Sequence, residues 1–516
     1  MNSEAIKEII SLLKKGEEIA SLKTLIAKKY MLSRVPTNSQ ILASADFNDR
    51  SFLKPLLRKK PVRTISGIAI VAVMTRESPC PGECIYCPQG DGFPKSYTGG
   101  EPAALRGKRL NFDPYLQVQD RLNQLKSIGH NIDKIELIIL GGTFNSQSLE
   151  YQEFFVKNCI DAMNDFSNTK KIRTTTLNDA KRQNEKSKVR NVGITFETRP
   201  DYCHEIHVNQ ILKLGVTRIE LGVQSILKGV YRKVNRGHKI GDVILSTRVA
   251  RDAGLKVGYH MMPGLFARPE EDLWQFKELF SNPDFKPDFL KIYPTLVIKG
   301  TKLYKMWKRG EFIPYNDNEV IKLLVKIKRL LPKWTRTMRI HRDIPNYFIE
   351  DGVNKGNIGE IVYNKVKECK CIRCREIGHR TLKDISINQE DSKIVLEKYP
   401  ASKGIEYFIS AEDEINDLLI AYLRLRFPSS DAHRSEMQNS AVVRELRVLG
   451  QAMRLGIRDE KENQHKGLGM DLLSKAEQIA AEAGYKELLV TSAIGTRRYY
   501  GKLGYQRVGP YMGKSL

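Results

Sequence analysis

The chain lacks any apolar run as long as a membrane-spanning helix requires, which is about 18 residues. Its first residues, MNSEAIKEIISLLKKGEE, mix charged and apolar side chains and lack both the apolar core and the cleavage site of a secretory signal. Internal repeats and low-complexity tracts are also absent from the sequence. These absences favour a cytoplasmic globular protein without a membrane partner, and 516 residues suit two or three domains.

Acidic residues are scarce relative to basic ones, since 60 Asp and Glu face 85 Lys and Arg and leave a formal net charge of +25. The excess is dense in residues 1–64, where Leu57 to Arg63 reads LRKKPVR. A solvated surface explains part of this charge, but a polyanionic partner explains more, and we expect RNA. A membrane surface is a weaker candidate because no basic helix has a broad apolar face.

Cysteine is rare as well, with eight residues in the chain. Six of them form two tight clusters, which are Cys80, Cys84 and Cys87, and then Cys369, Cys371 and Cys374. Clustered thiols in a chain of this kind predict metal sites rather than disulfide bonds.

Short β-rich runs alternate with helical patterns from residue 68 onward. The runs are 68–74, 134–140, 192–198, 218–224, 256–262 and 289–295. Helical patterns lie between them at 113–128, 149–166, 205–214, 241–253 and 270–280, and another follows at 318–330. Apolar strands that alternate with helices predict an α/β fold with a parallel sheet. Six such units would form a partial (β/α) barrel with its site at the C-terminal ends of the strands, and a doubly wound open sheet is the alternative.

A different pattern follows a charged stretch near 380–403. The runs IEYFISA, LLIAYLRLRF and VVRELRVLG predict antiparallel strands, and a helix at about 467–483 precedes the strand ELLVTSA. The polar segment 167–190 has no apolar face, and we expect it to leave the barrel as an RNA-facing excursion. We therefore predict four parts, which are a basic helical segment (1–64), the barrel (65–345), a linker (346–402) and an α+β domain (403–516).

The first candidate site is the loop CPGECIYC, where Cys80, Cys84 and Cys87 have the spacing C-x3-C-x2-C. Three thiolates on one loop can hold three corners of a [4Fe–4S] cube and leave the fourth iron open. Electron-transfer clusters usually have four cysteines, and no fourth one lies nearby. Zinc is the alternative metal, because it also accepts three cysteines and one histidine.

This loop resembles the signature of the radical S-adenosylmethionine (SAM) superfamily, and Tyr86 supplies its aromatic residue before the last cysteine. The resemblance implies a partial or full barrel, a SAM molecule chelated at the open iron, and reductive cleavage to a 5′-deoxyadenosyl radical. It further implies that Gly141, Gly142 and Thr143 contact SAM. Glu197 and Arg199 end the third strand at the same face, as SAM ligands or as a structural ion pair.

The second candidate site is a glycine turn, where Gln464 begins the sequence QHKGLGM at the start of a helix. Helix N-termini expose N–H groups that suit a pyrophosphate. The order of strand, turn and helix resembles the GCN5-related acetyltransferase fold, whose members bind acetyl-CoA. The resemblance implies that cofactor contacts come from Glu445, Leu446, Arg447 and Val448 on the strand and from Gln464, Gly467, Leu468, Gly469 and Met470 at the turn. Tyr499 and Tyr500 are candidates for the residue beside the CoA thiol, either as a hydrogen-bond or proton donor or as core residues.

The third candidate site is the linker cluster Cys369, Cys371 and Cys374, which predicts a structural zinc site. His379 and His341 are candidates for a fourth ligand, and three unliganded thiols are the alternative.

Both modules together resemble the Elongator catalytic-subunit family (elongator complex protein 3). The resemblance runs from about Lys59 to Met512 and includes SYTGGEPAALR, GGTF, ETRPDYC, YPTLVIKGT, VRELRV and GPYM. It implies conversion of the wobble uridine of a tRNA anticodon loop to 5-carboxymethyluridine. A radical formed from SAM would activate the acetyl methyl of acetyl-CoA, which then adds to uridine C5. The family's acetyl-CoA-contacting lysine follows GH-x-x-D and corresponds to Lys134, which we expect to act as a catalytic residue that places the acetyl group.

Other functions stay open at this point. The first is a protein lysine acetyltransferase with a structural iron–sulfur module, in which Cys80→Ala leaves activity intact. The second is a tRNA-binding module without catalysis, and the third, a radical SAM methylthiotransferase, would not carry the acetyl-CoA fold. The enzyme would also need an electron donor, and a homodimer is an open expectation.

Overall fold

The structure, a computed structural model, describes residues 3–57, 67–168, 173–377, 392–450 and 467–516. Its elements form an N-terminal helical layer, a parallel half-barrel and a C-terminal mixed sheet. None of the helices in these ranges is both long and apolar enough to cross a membrane.

The N-terminal layer consists of helices with a small apolar core of their own. The helices are Ser3–Lys14, Ile19–Lys29, Asn38–Ser44 and Phe47–Leu57. Ile6, Ile9, Ile26 and Leu53 are buried between them. Asn38–Ser44 also contacts a barrel helix, so the layer packs on the half-barrel.

Parallel strands form the half-barrel in the sheet order β1-β2-β3-β4-β5-β6-β8. These strands are β1 (Ala69–Met74), β2 (Lys134–Leu140), β3 (Arg190–Thr198), β4 (Arg218–Gln224), β5 (Lys256–Met261), β6 (Phe289–Ile292) and β8 (Arg336–Ile340). A two-stranded antiparallel sheet joins β7 (Val297–Ile298) to β9 (Ile349–Asp351). The strands follow one another in chain order, which identifies a half-barrel and makes the doubly wound alternative wrong.

Helices cover the outer face of the half-barrel, except that Val230–Lys233 and Lys302–Lys308 pack beside the cysteine loop. The helices are Pro102–Arg109, Pro114–Ser127, Leu149–Asp165, Leu177–Asn184, Glu205–Leu214, Val230–Lys233, Ile240–Asp252, Pro269–Ser281, Lys302–Lys308 and Asp317–Arg329, followed by Ile358–Lys365 and Ile372–Arg375. Side chains along a strand alternate between the two faces of the sheet. In β2, Ile135, Leu137 and Ile139 belong to the core, while Lys134 and Glu136 do not. The main core therefore lies between sheet and helices, and the barrel interior carries polar side chains.

Two sequence expectations are wrong in this region. The sheet has a seventh parallel strand, β8, which is short and carries Arg336 and Arg339 in place of an apolar run. The described part of segment 167–190 does have a core face. Helix Leu177–Asn184 buries Leu177 and Ala180 and packs on helix Leu149–Asp165. Residues 169–172 lie outside the described residues.

The C-terminal sheet has the order β10-β11-β12-β13-β14-β16-β15. Its strands are β10 (Lys393–Ala401), β11 (Gly404–Asp413), β12 (Leu418–Phe427), β13 (Ser440–Val448), β14 (Glu487–Val490), β15 (Gln506–Val508) and β16 (Tyr511–Ser515). Neighbours are antiparallel except β13 and β14, which are parallel and joined through helix Leu468–Glu482. A short helix, Arg497–Lys502, precedes β15. The expected fold class is confirmed, although the sheet begins at Lys393 and not at 403, because Lys393, Glu397 and Lys398 interrupt the β-formers of β10.

Buried arginines join this sheet to the N-terminal ends of the barrel strands. Arg444 of β13 donates to both carboxylate oxygens of Asp288, at 2.7 and 2.8 Å, and to the carbonyl oxygen of Leu255 at 3.0 Å. Arg426 of β12 donates to Asp252 at 2.6 Å. Both carboxylates precede the barrel strands β5 and β6, so the C-terminal sheet covers the end of the barrel opposite the cysteine loop.

Candidate functional site

The cysteine loop follows β1 at the C-terminal end of the half-barrel. The Cys87 N–H donates to the Cys84 carbonyl at 3.1 Å, and the Ile85 N–H donates to Val234 at 3.1 Å, which fixes the turn. Arg236 donates from Nη1 to the Cys84 Sγ at 3.2 Å. Burial alone would raise the pKa of Cys84, but the charge and hydrogen bond of Arg236 outweigh it and lower that pKa. Arg236 therefore favours the thiolate, which is the ligand form of cysteine.

The spacing of the thiols separates the two candidate metal sites. Among the described residues, two groups of potential ligands have all their donor atoms within 4.8 Å of one another, and Cys80, Cys84 and Cys87 are not one of them. Ligands of one zinc ion lie about 4 Å apart, because each sulfur is about 2.3 Å from the metal. Cluster thiolates bind different irons and lie farther apart. The loop fits a cluster better than a single ion.

A cradle at the end of β2 faces this loop. A Cβ at Gly141 would clash with the Thr75 side chain, and Gly142 has a left-handed φ of 65°. Thr143 Oγ1 lies 3.9 Å from Cys80 Sγ, so the glycine turn is next to the first cysteine. Thr75 Oγ1 is buried without a hydrogen-bond partner among the described residues. The unpaired Thr75 hydroxyl beside this glycine turn fits a polar ligand such as the methionine part of SAM.

Glu197 and Arg199 both lie at this end of the barrel, but they do not pair with each other. Glu197 accepts hydrogen bonds from Tyr97 at 3.0 Å and from Lys291 at 2.8 Å. Arg199 pairs with Asp201 at 2.8 Å and packs against Gly82 of the cysteine loop, where a Cβ would clash. Its Nη1 is buried without a partner among the described residues. Arg199 thus adds positive charge beside the thiols, which suits an anionic cluster.

The barrel interior holds a charged group that sequence reasoning missed. Glu220 of β4 pairs with Lys291 of β6, and its Oε2 lies 2.9 Å from His260 Nε2. Glu197, Glu220 and His260 could by spacing hold a metal ion, but the Lys291 ammonium already lies between the two carboxylates. The signal was present in the sequence, since each charge interrupts an otherwise apolar strand run.

The acetyltransferase-type turn begins helix Leu468–Glu482 and lies beside β13. Gly467, with a left-handed φ of 93°, is its N-cap and supplies no side-chain cap. The N–H groups of Leu468 and Gly469 have no hydrogen-bond partner in the described ranges, and that of Met470 donates to Gly467. The predicted contact Gln464 lies outside the described residues. Free N–H groups at this helix start can bind an anion.

The strand and the tyrosine expected beside this turn are close to it. The position of a Cβ on Gly469 lies 3.7 Å from Val448 and 3.2 Å from the Tyr499 hydroxyl. Glu445 accepts from Arg424 at 2.9 Å, and residues 446–448 are half-buried on β13. Tyr499 is 41% exposed, whereas Tyr500 is buried in the core of the C-terminal sheet. Burial raises the pKa of both phenols, so both are protonated at neutral pH.

Lys134 begins β2 and therefore lies at the barrel end that the C-terminal sheet covers. It pairs in register with Arg190 of β3, and Gly495 packs against Arg190 just before the Tyr499 helix. Burial lowers the pKa of Lys134. Gly141 follows the other end of the same strand, about 20 Å away at 3.3 Å per residue. The glycine turn at Gly467 and the cysteine loop thus lie at opposite ends of the half-barrel.

Cys369, Cys371 and Cys374 have their sulfurs within 4.8 Å of one another, as the ligands of one ion do. Lys328 donates from Nζ to Cys371 Sγ at 3.1 Å. His341 is not part of this group and follows the opposite end of β8, whereas the backbone of Ile372 bonds to Thr335 at the start of that strand. The expectation that His341 is the fourth ligand is therefore wrong, and His379 lies outside the described residues.

The half-barrel of parallel strands with a three-cysteine loop at their C-terminal ends defines a radical SAM protein. Three family models match, which are the Radical SAM superfamily over residues 79–280, the Radical_SAM C-terminal domain over 287–368 and the ELP3 N-terminal domain over 1–65. The chain belongs to the Elongator complex protein 3 family, as the sequence resemblance indicated.

Known relatives cover nearly the whole chain. The tRNA uridine(34) acetyltransferase of Methanocaldococcus jannaschii is 52% identical over 93% of this chain and 90% of its own length. Elongator complex protein 3 of Drosophila melanogaster is 41% identical over 99% of this chain and 95% of its own. The solved structure of the Methanocaldococcus infernus Elp3 with an N-terminal deletion superposes with a TM-score of 0.77 at 49% identity, covering 88% of this chain and all of that one.

Proposed function

We propose that this chain is a tRNA uridine acetyltransferase that uses SAM and acetyl-CoA to convert the wobble uridine of tRNA to 5-carboxymethyluridine. One observation carries the proposal, which is that a single chain places a radical SAM cysteine loop and an acyl-CoA-type helix turn at the two ends of one half-barrel. The 52% identical relative bears the name tRNA uridine(34) acetyltransferase, and that name points to the same base.

At the cysteine end, Cys80, Cys84 and Cys87 are the residues that would hold a [4Fe–4S] cluster. The cluster, when reduced by an external electron donor, supplies the one-electron cleavage of SAM. Arg236 favours the thiolate form of Cys84, and Arg199 adds positive charge beside the loop.

The SAM molecule would lie in the cradle of Gly141, Gly142 and Thr143. Glu197 carries a carboxylate to the same end of the barrel, and its ion pair with Lys291 orients it. A carboxylate fixed in this way can accept hydrogen bonds from the hydroxyl or amino groups of a nucleoside ligand.

At the opposite end, the free N–H groups of Leu468 and Gly469 would face the pyrophosphate of acetyl-CoA, with Met470 beside them and Gly467 allowing its close approach. Gln464 belongs to this proposal by sequence alone. The pantetheine arm would lie along Glu445, Leu446, Arg447 and Val448 of β13, as in the fold that the sequence resembles. Tyr499, whose hydroxyl approaches Gly469, is the better candidate for proton donation, because Tyr500 is a core residue.

Lys134 would contact the acyl end of acetyl-CoA at the mouth of the barrel. The distance from Lys134 to the SAM cradle is the length of β2. The extended pantetheine arm would therefore have to carry the acetyl group inward. The polar barrel interior, with Glu136 and Arg218 paired at 2.5 Å, offers that group a hydrogen-bonding path. Uridine would enter from the cysteine end, and an anticodon loop suits this because its bases are already partly unstacked.

Zinc is a further proposed component, held by Cys369, Cys371 and Cys374 at the junction of the two sheets. Lys328 balances the thiolate charge there: burial alone would lower its pKa, but the neighbouring thiolates outweigh burial and leave that pKa raised. Such a site would fix the linker to β8 without taking part in the chemistry. The basic N-terminal layer would hold the tRNA backbone, and homodimer formation stays a prediction.

Nucleoside mass spectrometry tests the function directly. The reconstituted protein is incubated anaerobically with tRNA, SAM, a reductant and acetyl-CoA labelled in the acetyl group. We expect labelled 5-carboxymethyluridine with wild type and none with Cys84→Ser. Labelled acetyl-lysine on added proteins, equal in both proteins and without labelled nucleoside, would favour the lysine acetyltransferase instead.

A further inference from the structure

A polar cavity of about 380 Å³ opens at the C-terminal end of β8, on the same edge of the barrel as the cysteine loop. Arg339, His341, Arg342 and Asn346 line it. Arg342 donates to Ser96 Oγ at 3.1 Å, and Ser96 belongs to the segment that follows Cys87. The cavity is therefore a direct neighbour of the proposed SAM site, yet it shares none of its residues.

The side chains that line the cavity carry a net positive charge. Arg339 is 41% exposed in its side chain and pairs with Asp343, which is the acidic group lining this cavity. Arg342 lies 6.0 Å from the ring centre of Tyr293 and turns toward the loop of Ser96. Two guanidinium groups against one carboxylate leave a net positive charge, which favours an anion such as a phosphate.

His341 is held in an unusual state at the floor of this cavity. It has a left-handed φ of 76°, it is 7% exposed, and its Nδ1 has no hydrogen-bond partner among the described residues. Burial and the neighbouring arginines lower its pKa, against a smaller opposite effect of Asp317. A neutral imidazole in a strained backbone position is costly, and such residues cluster at ligand sites.

An exposed aromatic side chain, Tyr347, directly follows the lining residue Asn346 in the chain. Tyr347 is 75% exposed, more than any other aromatic residue in the part of the chain that the structure describes. Its ring centre lies 4.5 Å from that of Phe348, and Gly100 leaves room for its hydroxyl. Phe348 supports the ring from one side and leaves it open to solvent. An open aromatic face beside arginines is the arrangement with which proteins bind single-stranded nucleic acid.

We propose that this cavity binds single-stranded RNA next to the target uridine, with a phosphate at Arg339 and Arg342 and a neighbouring base stacked on Tyr347. The inference rests on the proposed function and extends it, because it names the subsite that would hold the anticodon loop at the cysteine end of the barrel. The basic N-terminal layer would bind more distant backbone and would not select for unstacked bases.

Binding of a fluorescent anticodon stem–loop RNA to the full chain tests the subsite. Tyr347→Leu should weaken binding roughly 5- to 100-fold, as loss of one stacking platform does, and Tyr347→Phe should restore it. Arg339→Gln should reduce the slope of log affinity against log salt by about one. Phe154→Leu and Arg507→Gln are matched controls, since they change an exposed aromatic and an exposed arginine elsewhere, and both should bind like wild type.

Photocrosslinking gives a readout that does not depend on variants. The same RNA with 5-bromouridine beside the wobble position should crosslink to the wild-type peptide that contains Tyr347. Unchanged binding by Tyr347→Leu, or a crosslink only to other peptides, would overturn the subsite. If either result is accompanied by normal uridine modification, the subsite is wrong and the proposed function stands. If the RNA crosslinks to Tyr347 but no modified uridine forms, the proposed function is wrong and the subsite stands.

Discussion

Lys291 and Glu197 form an ion pair inside the half-barrel, with Nζ 2.8 Å from Oε1 and both side chains half-buried. The same ammonium pairs with Glu220, so one cation serves two carboxylates from neighbouring strands. Tyr97 reaches Glu197 from the segment that follows the cysteine loop. The barrel interior and the cysteine end are thus one hydrogen-bonded unit, and the stability of the barrel depends on its charge balance.

Lys291→Met should lower the free energy of unfolding by about 3–5 kcal/mol, because it leaves the buried carboxylate of Glu220 and the half-buried one of Glu197 without their shared cation. Lys213→Met is a matched control, since Lys213 is 63% exposed in its pair with Glu153 and should contribute about 0–1 kcal/mol. Urea denaturation measures both. A loss of less than about 1 kcal/mol for Lys291→Met would contradict the role of its ammonium as the counter-ion.

Acidification should weaken the same cluster in a defined direction. Burial raises the pKa of Glu197 and Glu220, but Lys291 and the other cations outweigh it, and both pKa values lie below the ordinary 4.5. Their contribution to stability is complete above that value and is lost as the pH falls through the lowered pKa values. Each proton involved adds about 1.4 kcal/mol per pH unit to the slope.

Glu220→Gln tests this pH dependence. The variant should lose stability less steeply than wild type as the pH falls below about 4.5, because it lacks one of the two carboxyl groups whose pKa is lowered. The free energy of unfolding is measured at a series of pH values with both proteins. Equal slopes would show that Glu220 is not held ionised in the folded chain.

Much of the barrel was predictable because its strands carry local signals. The bounds of β2 and β4 were predicted to the residue, since apolar β-formers fill the positions that face the helices. β8 was missed because Arg336 is buried through a pair with Glu376 at 2.7 Å, forty residues away. A sequence pattern sees the charge but not the distant partner that permits its burial.

The candidate sites likewise divide into residues that are close in sequence and residues that only folding brings together. The cysteine loop and the glycine turns are continuous in sequence, so their spacing was readable. Glu220, His260 and Lys291 come from three strands, and only folding places them together. His341 was one of two candidates for a fourth zinc ligand, yet a strand separates it from Cys371, because β8 is extended and its two ends lie far apart.

Metal analysis should distinguish the two cysteine clusters. Cys371→Ser should lose zinc and keep iron after anaerobic reconstitution, whereas Cys84→Ser should lose iron and keep zinc. The reason is the sulfur spacing, which suits one ion in the linker and a cluster in the loop. Elemental analysis by mass spectrometry measures both metals in one sample. Zinc alone at the loop would contradict the radical mechanism.

Substitution of the paired tyrosines should separate chemistry from packing. Tyr499→Phe removes a partly exposed hydroxyl near Gly469 and should lower carboxymethyluridine formation about 100-fold or more, with a change in unfolding free energy within about 0.5 kcal/mol. Tyr500→Ala should instead cost about 3–5 kcal/mol, because its ring fills the core. Tyr500→Phe keeps that ring and should retain activity. Full activity in Tyr499→Phe would exclude this hydroxyl as a proton donor, because no other change accompanies its removal.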